Sequence, residues 1–158
     1  MKILVTSDTH GKKSPLIRLV SHYKNQVQMV IHLGDTMSDS SALQDAYPTI
    51  PVERVMGNID FIGEPEKIIT VNNCKIYMTH GHLFGVKENL QNIINRAKEK
   101  QVNVCLFGHT HFQTKFEDSG ILFMNPGSLV EPRGGSNAGF GLLEITPTGS
   151  VTGEIIQL

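Results

Sequence analysis

The sequence predicts an α/β protein in which two β-sheets pack together and helices cover their outer faces. Apolar runs alternate with helical periodicity in the first half of the 158-residue chain, and short strand-like runs separated by turn sequences fill the second half. No apolar run approaches the ~18 residues of a membrane span. The length suits a single domain over residues 1–158 with a sizeable core.

The first half of the chain alternates strand and helix. Apolar and β-branched runs predict strands at 2–7, 27–33 and 51–56. Ser14 followed by Pro15 indicates a helix start, with a capping side chain and then proline in the first turn, and apolar residues continue at helical spacing to Tyr23. A short helix is predicted over 39–46, and Pro48 ends it.

A hairpin and the clearest helix follow. Asn72 and Asn73 separate strands predicted at 67–71 and 74–79, because asparagine tolerates the positive φ of a two-residue turn. A single apolar stripe, with lysines in the last turn, predicts a helix over 86–100. The remaining strands are predicted at 102–107, 113–117, 121–125, 140–145 and 151–158.

Charge and cysteine usage limit the function classes. The formal net charge of −1 provides no overall basic field, which disfavours a nuclease or another nucleic-acid-binding function. The N-terminus lacks the long apolar region of a signal peptide and is interpreted as the first strand. Cys74 and Cys105 lie in predicted strands and are interpreted as buried free thiols, which favours a cytoplasmic location. The short apolar runs predict no membrane partner.

Polar side chains follow five of the predicted strands, at the point where each strand ends. The stretches are Asp8-Thr9-His10, Gly34-Asp35, Gly57-Asn58-Ile59-Asp60, His80-Gly81-His82 and Gly108-His109-Thr110-His111. Ligands of open α/β sheets bind at the carboxyl ends of the strands, so these side chains are expected to meet. The spacing of two within Asp8–His10 and within His109–His111 predicts extended backbone, which would turn both side chains to one face.

The candidate metal ligands are seven: Asp8, His10, Asp35, Asn58, His80, His109 and His111. That number exceeds the three protein ligands of one tetrahedral catalytic ion and fits two ions that share a carboxylate. All donors are oxygen or nitrogen, which suits manganese, nickel, cobalt, zinc or iron. Two such ions ~3.5–4 Å apart clamp the attacking and departing oxygens of phosphoryl transfer.

In this order the blocks DTH, GD, GNID, HGH and GHTH resemble the signature of the calcineurin-like metallophosphoesterase superfamily. The NPGS stretch at 125–128 and the chain length are similar to its small single-domain YfcE-like phosphodiesterase branch. The resemblance implies a four-layer α/β/β/α sandwich of two mixed sheets flanked by helices. It also implies a division of ligands, in which Asp8, His10 and His111 hold one ion, Asn58, His80 and His109 hold the other, and Asp35 bridges them.

The resemblance implies a metal-bridging hydroxide as the nucleophile, but the third block departs from the superfamily at Ile59. Many members carry there a histidine that is a proposed general acid, and isoleucine cannot donate a proton. His82 is a candidate replacement; its alternative is a supporting role in the loop. The candidate catalytic residues are therefore Asp35, Asn58 and His82.

Residues around the motifs have more ordinary interpretations. His32, inside the second strand, is interpreted as a structural histidine. Asn125 and Ser128 are expected to support ligands from a tight turn. Arg133 either meets a substrate phosphate with its guanidinium fork or makes a surface salt bridge.

The function that the resemblance implies is hydrolysis of a small phosphate ester with two divalent ions, manganese foremost and nickel, cobalt, zinc or iron as alternatives. A diester is favoured over a monoester because no cluster of positive residues is evident in the sequence to hold a dianionic phosphate. The alternative is a protein-interaction scaffold of the retromer-subunit type, with the same fold and little or no catalysis. An exposed edge strand would be compatible with a homodimer or homotetramer.

Overall fold

A computed structural model describes residues 1–158. The ten strands are β1 (Lys2–Thr6), β2 (Met29–His32), β3 (Val52–Arg54), β4 (Glu66–Val71), β5 (Cys74–Thr79), β6 (Val104–Leu106), β7 (Gln113–Asp118), β8 (Ile121–Pro126), β9 (Gly139–Ile145) and β10 (Val151–Gln157). The helices are α1 (Lys13–Tyr23), α2 (Met37–Ala46) and α3 (Gln91–Lys100), and a 3-10 turn spans His82–Phe84. None of these helices has the length and apolar character needed to cross a bilayer.

The strands form two mixed five-stranded sheets. The first has the order β10-β9-β1-β2-β3, in which β1, β2 and β3 are parallel and Ile3 lies opposite Met29. The second has the order β4-β5-β6-β8-β7, in which β5, β6 and β8 are parallel and the edge strands are antiparallel. In each sheet, the parallel strands end at loops that carry the polar motifs.

Alternation along the strands divides the apolar residues among three cores, one between the sheets and one on the outer face of each sheet. In β1, Ile3 and Val5 enter the core between the sheets, whereas Leu4 enters the core under α1 and α2. In β5, Met78 faces the other sheet, whereas Tyr77 packs beneath α3. Because side chains of a strand point alternately to opposite faces, continuous apolar runs are needed where both faces are covered.

The helices complete four layers. Leu16, Leu19 and Leu43 attach α1 and α2 to the outer face of the first sheet. Ile93 and Ala97 attach α3 to the outer face of the second. The predicted α/β/β/α sandwich is therefore confirmed.

Several predicted boundaries are wrong. The helix predicted over 86–100 begins at Gln91, because Gly81 and Gly85 take positive φ and turn the chain between them into the 3-10 turn. Val86 and Leu90 still pack against the same outer core, which is why the apolar stripe extended too far. The predicted strands 27–33, 51–56 and 102–107 are shorter than expected, since their last residues belong to the site loops.

The helix starts also differ from the predictions. α1 begins at Lys13, and the side chain of Ser14 caps nothing, because Ser14 already lies inside the first turn. α2 begins at Met37 instead of residue 39. In contrast, Asn72 and Asn73 have φ of 48° and 66°, as the hairpin requires, and Cys74 and Cys105 are buried free thiols.

Candidate metal centre

The structure brings all seven predicted ligands together at the carboxyl ends of the parallel strands. The ligand atoms of Asp8, His10, Asp35 and His111 lie within 4.8 Å of one another, and so do those of Asp35, His80 and His109. The side-chain oxygen of Asn58 lies 3.1 Å from His80 Nε2 and so joins the second group. Two groups of ligands therefore share Asp35.

The prediction of extended backbone around these residues is wrong. Asp8 and His10 have φ of 56° and 46°, and His109 and His111 have φ of 69° and 57°. Left-handed residues separated by one neighbour fold each stretch into a tight loop, so the two histidines of GHTH enter different groups. Aspartate and histidine adopt this conformation more readily than most residues, but it still costs energy that the surroundings must offset.

Two glycines allow the loops to approach the carboxylates. A Cβ on Gly57 would lie 2.1 Å from Asp35 Oδ1 and 2.3 Å from the Asp35 amide nitrogen. A Cβ on Gly108 would lie 2.0 Å from Ser7 Oγ and 2.9 Å from Asp8 Oδ2. Both glycines are therefore required by close packing against ligand residues.

Asp8 is held from one side and open on the other. Its Oδ2 accepts hydrogen bonds from the Ser7 hydroxyl at 2.5 Å and from the His109 amide at 3.1 Å. Its Oδ1 is buried, makes no hydrogen bond of acceptable geometry, and lies 3.2 Å from His111 Nε2. A buried carboxylate oxygen without a donor is rare, and a coordinated cation is one partner that would satisfy it.

Two of the histidines, His80 and His111, are oriented by hydrogen bonds from Nδ1, the ring nitrogen that points away from the ligand groups. His80 Nδ1 lies 2.8 Å from the Leu33 carbonyl oxygen, and His111 Nδ1 lies 2.6 Å from that of Glu131. Because carbonyls only accept, these Nδ1 atoms donate, which leaves a lone pair on each inward Nε2 when the ring is neutral. This arrangement of a backbone acceptor behind a ligand imidazole is typical of metal sites.

The inward nitrogens face one another in pairs. His10 Nε2 lies 3.0 Å from His111 Nε2, and His80 Nε2 lies 3.2 Å from His109 Nδ1. Two lone pairs at this distance repel unless a proton or a cation lies between or beside them. The donor set therefore fits divalent cations, since oxygen and imidazole ligands converge on both groups.

The electrostatics of the carboxylates also favour cation binding. Burial by itself raises the pKa of Asp35, but the hydrogen bond and charge of His80 outweigh it and lower that pKa to about 2. Burial likewise opposes the ionisation of Asp8, yet contact with His111 and the charge of His80 lower its pKa. Both side chains are therefore ionised at neutral pH.

In the second ligand group, the pKa values of His80 and His109 shift in opposite directions. Burial disfavours charge on His80, but the Asp35 carboxylate and the Asp8 charge together raise its pKa. Burial, then the charges of His80 and Lys87, lower the pKa of His109 to about 4. His109 is therefore neutral at physiological pH, which is the form that binds a metal ion.

The Asp60 carboxylate holds the loop after Asp35 and the loop that carries Asn58 together. Its Oδ1 accepts the amide hydrogens of Thr36 and Met37 at the start of α2, and its Oδ2 accepts that of Gly57. One carboxylate thus caps a helix and fixes the loops on either side of Asp35 and Asn58.

As expected, side chains of the NPGS turn at 125–128 support two loops, the GHTH loop and the loop that carries Asp8. The Asn125 amide nitrogen donates to the Gly108 carbonyl and the Thr110 hydroxyl, both at 2.9 Å. The Ser128 hydroxyl donates to the Asp8 carbonyl at 2.8 Å. Both side chains are fully buried, so these bonds are shielded from water.

Sequence inspection missed Asp39, a buried residue of α2. Its Oδ2 accepts the amide hydrogen of Gly11 at 3.0 Å, which ties α2 to the loop that carries His10. Nothing in the sequence distinguishes Asp39 from an aspartate on an exposed helix face, because its hydrogen bond to Gly11, 28 residues away, is evident only in the folded chain.

The remaining candidate residues have clear surroundings. His32 is fully buried, with Thr9 Oγ1 3.0 Å from Nε2 and the Gly34 amide 3.3 Å from Nδ1, so both ring nitrogens are satisfied. The ring centroid of His82 lies 5.4 Å from that of His80, and its Nδ1 is buried without a partner. Arg133 makes no side-chain salt bridge, and its amide donates to the His111 carbonyl at 3.1 Å.

Comparison with known proteins agrees with this geometry. A model of the calcineurin-like phosphoesterase superfamily domain matches residues 1–148. The chain is 38% identical to the probable metallophosphoesterase YsnB of Bacillus subtilis over 136 residues, which cover 84% of this chain and 78% of YsnB. It is 30% identical to the phosphodiesterase YfcE of Escherichia coli K12 over 168 aligned positions, which cover 91% of this chain and 88% of YfcE.

Solved structures share the architecture. A predicted phosphoesterase from Streptococcus pneumoniae has a TM-score of 0.78 and 29% identity, with 98% of this chain and 96% of that chain covered. Zinc-bound Vps29 of Entamoeba histolytica has a TM-score of 0.77 and 24% identity, with 99% and 98% covered. At that identity the second likeness shows the fold alone.

Proposed function

Because the chain belongs to the calcineurin-like phosphoesterase superfamily, we propose that it is a phosphodiesterase with a dinuclear metal centre. Family membership already makes it a metal-dependent hydrolase of phosphate esters. The observation that carries the finer proposal is the pair of ligand groups that share Asp35, next to the unpartnered Asp8 Oδ1. One ion would leave half of these converging donors without a partner.

Each group of residues would hold one ion. Asp8, His10 and His111 would hold the first, Asn58, His80 and His109 the second, and Asp35 would contact both. When bound, two divalent cations supply Lewis acidity and lower the pKa of coordinated water toward ~7. We propose manganese as the ion, with nickel, cobalt, zinc and iron compatible with the same donors.

The protein itself binds and orients the phosphoryl group. Asn58 is exposed to solvent and its Oδ1 faces His80, so its amide nitrogen is free to donate to a phosphoryl oxygen. The His82 ring lies beside the His80 ring, with centroids 5.4 Å apart, and is the candidate donor of a proton to the departing oxygen. These two side chains act on the substrate directly, whereas Asp60, Asn125 and Ser128 position the loops.

The substitution at Ile59 selects the leaving group. Ile59 is 46% exposed beside Asn58 and offers no proton, so protonation of the leaving oxygen falls to His82 or to solvent. General acid catalysis is typically worth 10²–10⁴-fold, and its loss matters most for basic alkoxides. We therefore expect esters of acidic alcohols and phenols to be cleaved fastest.

Metal reconstitution tests the proposal. The purified protein is stripped with chelator, loaded separately with Mn²⁺, Ni²⁺, Co²⁺ or Zn²⁺, and assayed against bis(p-nitrophenyl) phosphate and p-nitrophenyl phosphate. We expect two ions per chain by elemental analysis and faster turnover of the diester. Asp35→Asn should bind fewer ions and lose activity, whereas Asp45→Asn, on the exposed surface of α2, should match the unchanged protein.

The scaffold alternative is favoured by the fold shared with Vps29. It would give a different result in the same experiment, namely binding of two ions with no turnover of either ester in any metal. Turnover that depends on Asp35 would contradict a scaffold-only role.

Location and assembly are further proposals. Two buried free thiols suit a reducing compartment, and we propose that the protein acts in the cytoplasm. Light scattering of the purified protein would show whether it forms the dimer or tetramer that an edge strand permits.

A further inference from the structure

A groove lies directly beside the GHTH loop, outside the ligand groups. It has a volume of about 430 Å³, and its walls come from residues 86–90, from the segment around Thr110 and Phe112, and from Arg133. Thr110 separates the two GHTH histidines, and the Arg133 amide donates to the His111 carbonyl, so the groove and the candidate metal centre share a wall. The volume is within the range of small-molecule sites.

Two cations in this groove have no partner. Lys87 and Arg133 line it, and neither side chain makes a salt bridge or a hydrogen bond. Four basic side chains elsewhere, those of Lys12, Lys67, Arg96 and Lys98, pair with carboxylates. Unpaired cations also occur on the open surface, so what distinguishes Lys87 and Arg133 is that both line one cavity. An unpaired arginine and an unpaired lysine that face one cavity can attract an anion.

The rest of the lining leaves this positive character in place. Glu88 is the one acidic residue in the groove, and its carboxylate lies next to Gly85. Asn89 and Leu90 bring the start of α3 to the wall, where the helix dipole adds partial positive charge. The charged side chains that line the groove, Lys87, Arg133 and Glu88, therefore have a formal net charge of +1.

An aromatic ring stands at the mouth of the groove. Phe112 is 46% exposed, and its ring packs against the turn at Gly134, where an added Cβ would lie 3.0 Å from Phe112 Cδ2. This contact packs part of the ring against the turn, while Phe112 also lines the groove. Val86, Leu90 and Phe107 provide an apolar floor. An exposed ring above an apolar floor suits a planar group.

We propose that this groove binds the non-leaving substituent of the phosphodiester, and that this substituent carries a planar ring and a second anionic group, as in a phosphorylated nucleoside. The inference rests on the proposed phosphodiesterase function and names its substrate class. Phe112 would contact the ring, while Lys87 and Arg133 would contact the second anion. The scissile phosphate would then lie across the shared wall, at the ligand groups.

The test uses esters with one leaving group and different second substituents. Three p-nitrophenyl esters form the series: thymidine 3′-phosphate 5′-(p-nitrophenyl phosphate), thymidine 5′-(p-nitrophenyl phosphate) and p-nitrophenyl phosphorylcholine. The first has a ring and an anion, the second a ring alone, and the third a cation. We expect kcat/KM of the metal-loaded protein to fall in that order, by about tenfold for loss of the anion, since a charged hydrogen bond is worth about that factor.

Variants assign the preference to the groove. In Lys87→Gln and Arg133→Gln the ratio of kcat/KM between the first two esters should fall about threefold to tenfold. In Phe112→Ala the ratio between the second and third esters should fall. Lys24→Gln, which removes an exposed cation at the end of α1, is the matched control and should keep both ratios.

Binding of thymidine 3′,5′-bisphosphate, measured by calorimetry, separates the two proposals. If no ester is cleaved with any metal, the phosphodiesterase proposal fails, but binding that Arg133→Gln weakens would still support the groove. If the esters are cleaved without preference, or if the groove variants keep the wild-type ratios, the groove inference is wrong and the phosphodiesterase proposal stands. Absence of bisphosphate binding would also overturn the inference.

Discussion

The core between the sheets and the edge that carries the metal ligands are built by opposite rules. In the core, residues such as Val5, Ile31, Leu106 and Leu143 are fully buried and leave no polar group without a partner. At the edge, five non-glycine ligand residues have positive φ, a carboxylate oxygen is buried alone, and imidazole nitrogens face one another.

The difference shows where the stability of each region originates. The core is stabilised by burial of apolar surface, which needs no partner outside the chain. The edge combines strained backbone with imidazole nitrogens that need a proton or a cation between them, so we expect bound cations to add to its stability. We therefore expect a cavity in the core to lower the unfolding free energy without removing the ligand groups, whereas a change at the edge should alter metal binding as well.

The largest effect is expected from a cavity in the core. Leu143→Ala removes a fully buried side chain of β9, and such changes cost about 2–5 kcal/mol of the free energy of unfolding. Urea denaturation would measure the loss. Because Leu143 lies opposite Ile3, at the end of β1 away from Asp8, we expect the folded variant still to bind two ions per chain. A fall in metal stoichiometry would show that the two regions are coupled.

Removal of the metal should act on the edge and through it on the whole fold. A ligand at 100 times its dissociation constant stabilises the native state by about 2.7 kcal/mol. We therefore expect manganese to raise the melting temperature of the chelator-treated protein by about 5–10 °C for a chain of this size. Asp35→Asn should lose most of that increase. An equal increase in both proteins would contradict specific binding at the shared carboxylate.

The sequence predicted the positions of most strands and of the candidate ligands, and each prediction has a physical reason. Continuous apolar and β-branched runs bounded by turn residues locate most strands, since both signals follow from local geometry and apolar contact. Polar residues after five strands locate the candidate ligands, because parallel strands of a sheet end at one edge. Both kinds of prediction use information carried by neighbouring residues.

What the sequence did not predict depends on contacts between distant segments. Asp39 and Gly11 meet only in the folded chain, and so do Lys87 and Arg133, which sequence inspection did not combine into a basic site. The loop conformation was predicted wrongly because spacing of two suits extended backbone as well as left-handed turns. The start of α3 was misplaced because apolar spacing continued through the turn before it.

Loss of a supporting side chain should have an intermediate effect. Asn125→Ala removes the donor to Gly108 and Thr110 and leaves buried polar atoms without partners, at a cost of about 2 kcal/mol. Since these bonds hold the GHTH loop, we expect weaker metal binding together with the lower unfolding free energy. Asn95→Ala, at an exposed position of α3, is the control, and calorimetric metal titration gives the affinity. Unchanged affinity would show that the loop needs no such support.

The smallest effect is expected from Asp8→Asn, and its sign depends on the metal. An amide nitrogen in place of the unpartnered Oδ1 could donate to His111 Nε2, 3.2 Å away, while the amide oxygen keeps the bonds from Ser7 and His109. With chelator present at pH 8, we expect this variant to be more stable than the unchanged protein by about 1 kcal/mol. With manganese present, it should be the less stable of the two, since it loses a charged ligand. Urea denaturation in both conditions measures the reversal. If the variant is less stable in chelator as well, the Asp8 carboxylate stabilises the metal-free fold, and the prediction that its unpartnered oxygen destabilises that fold is wrong.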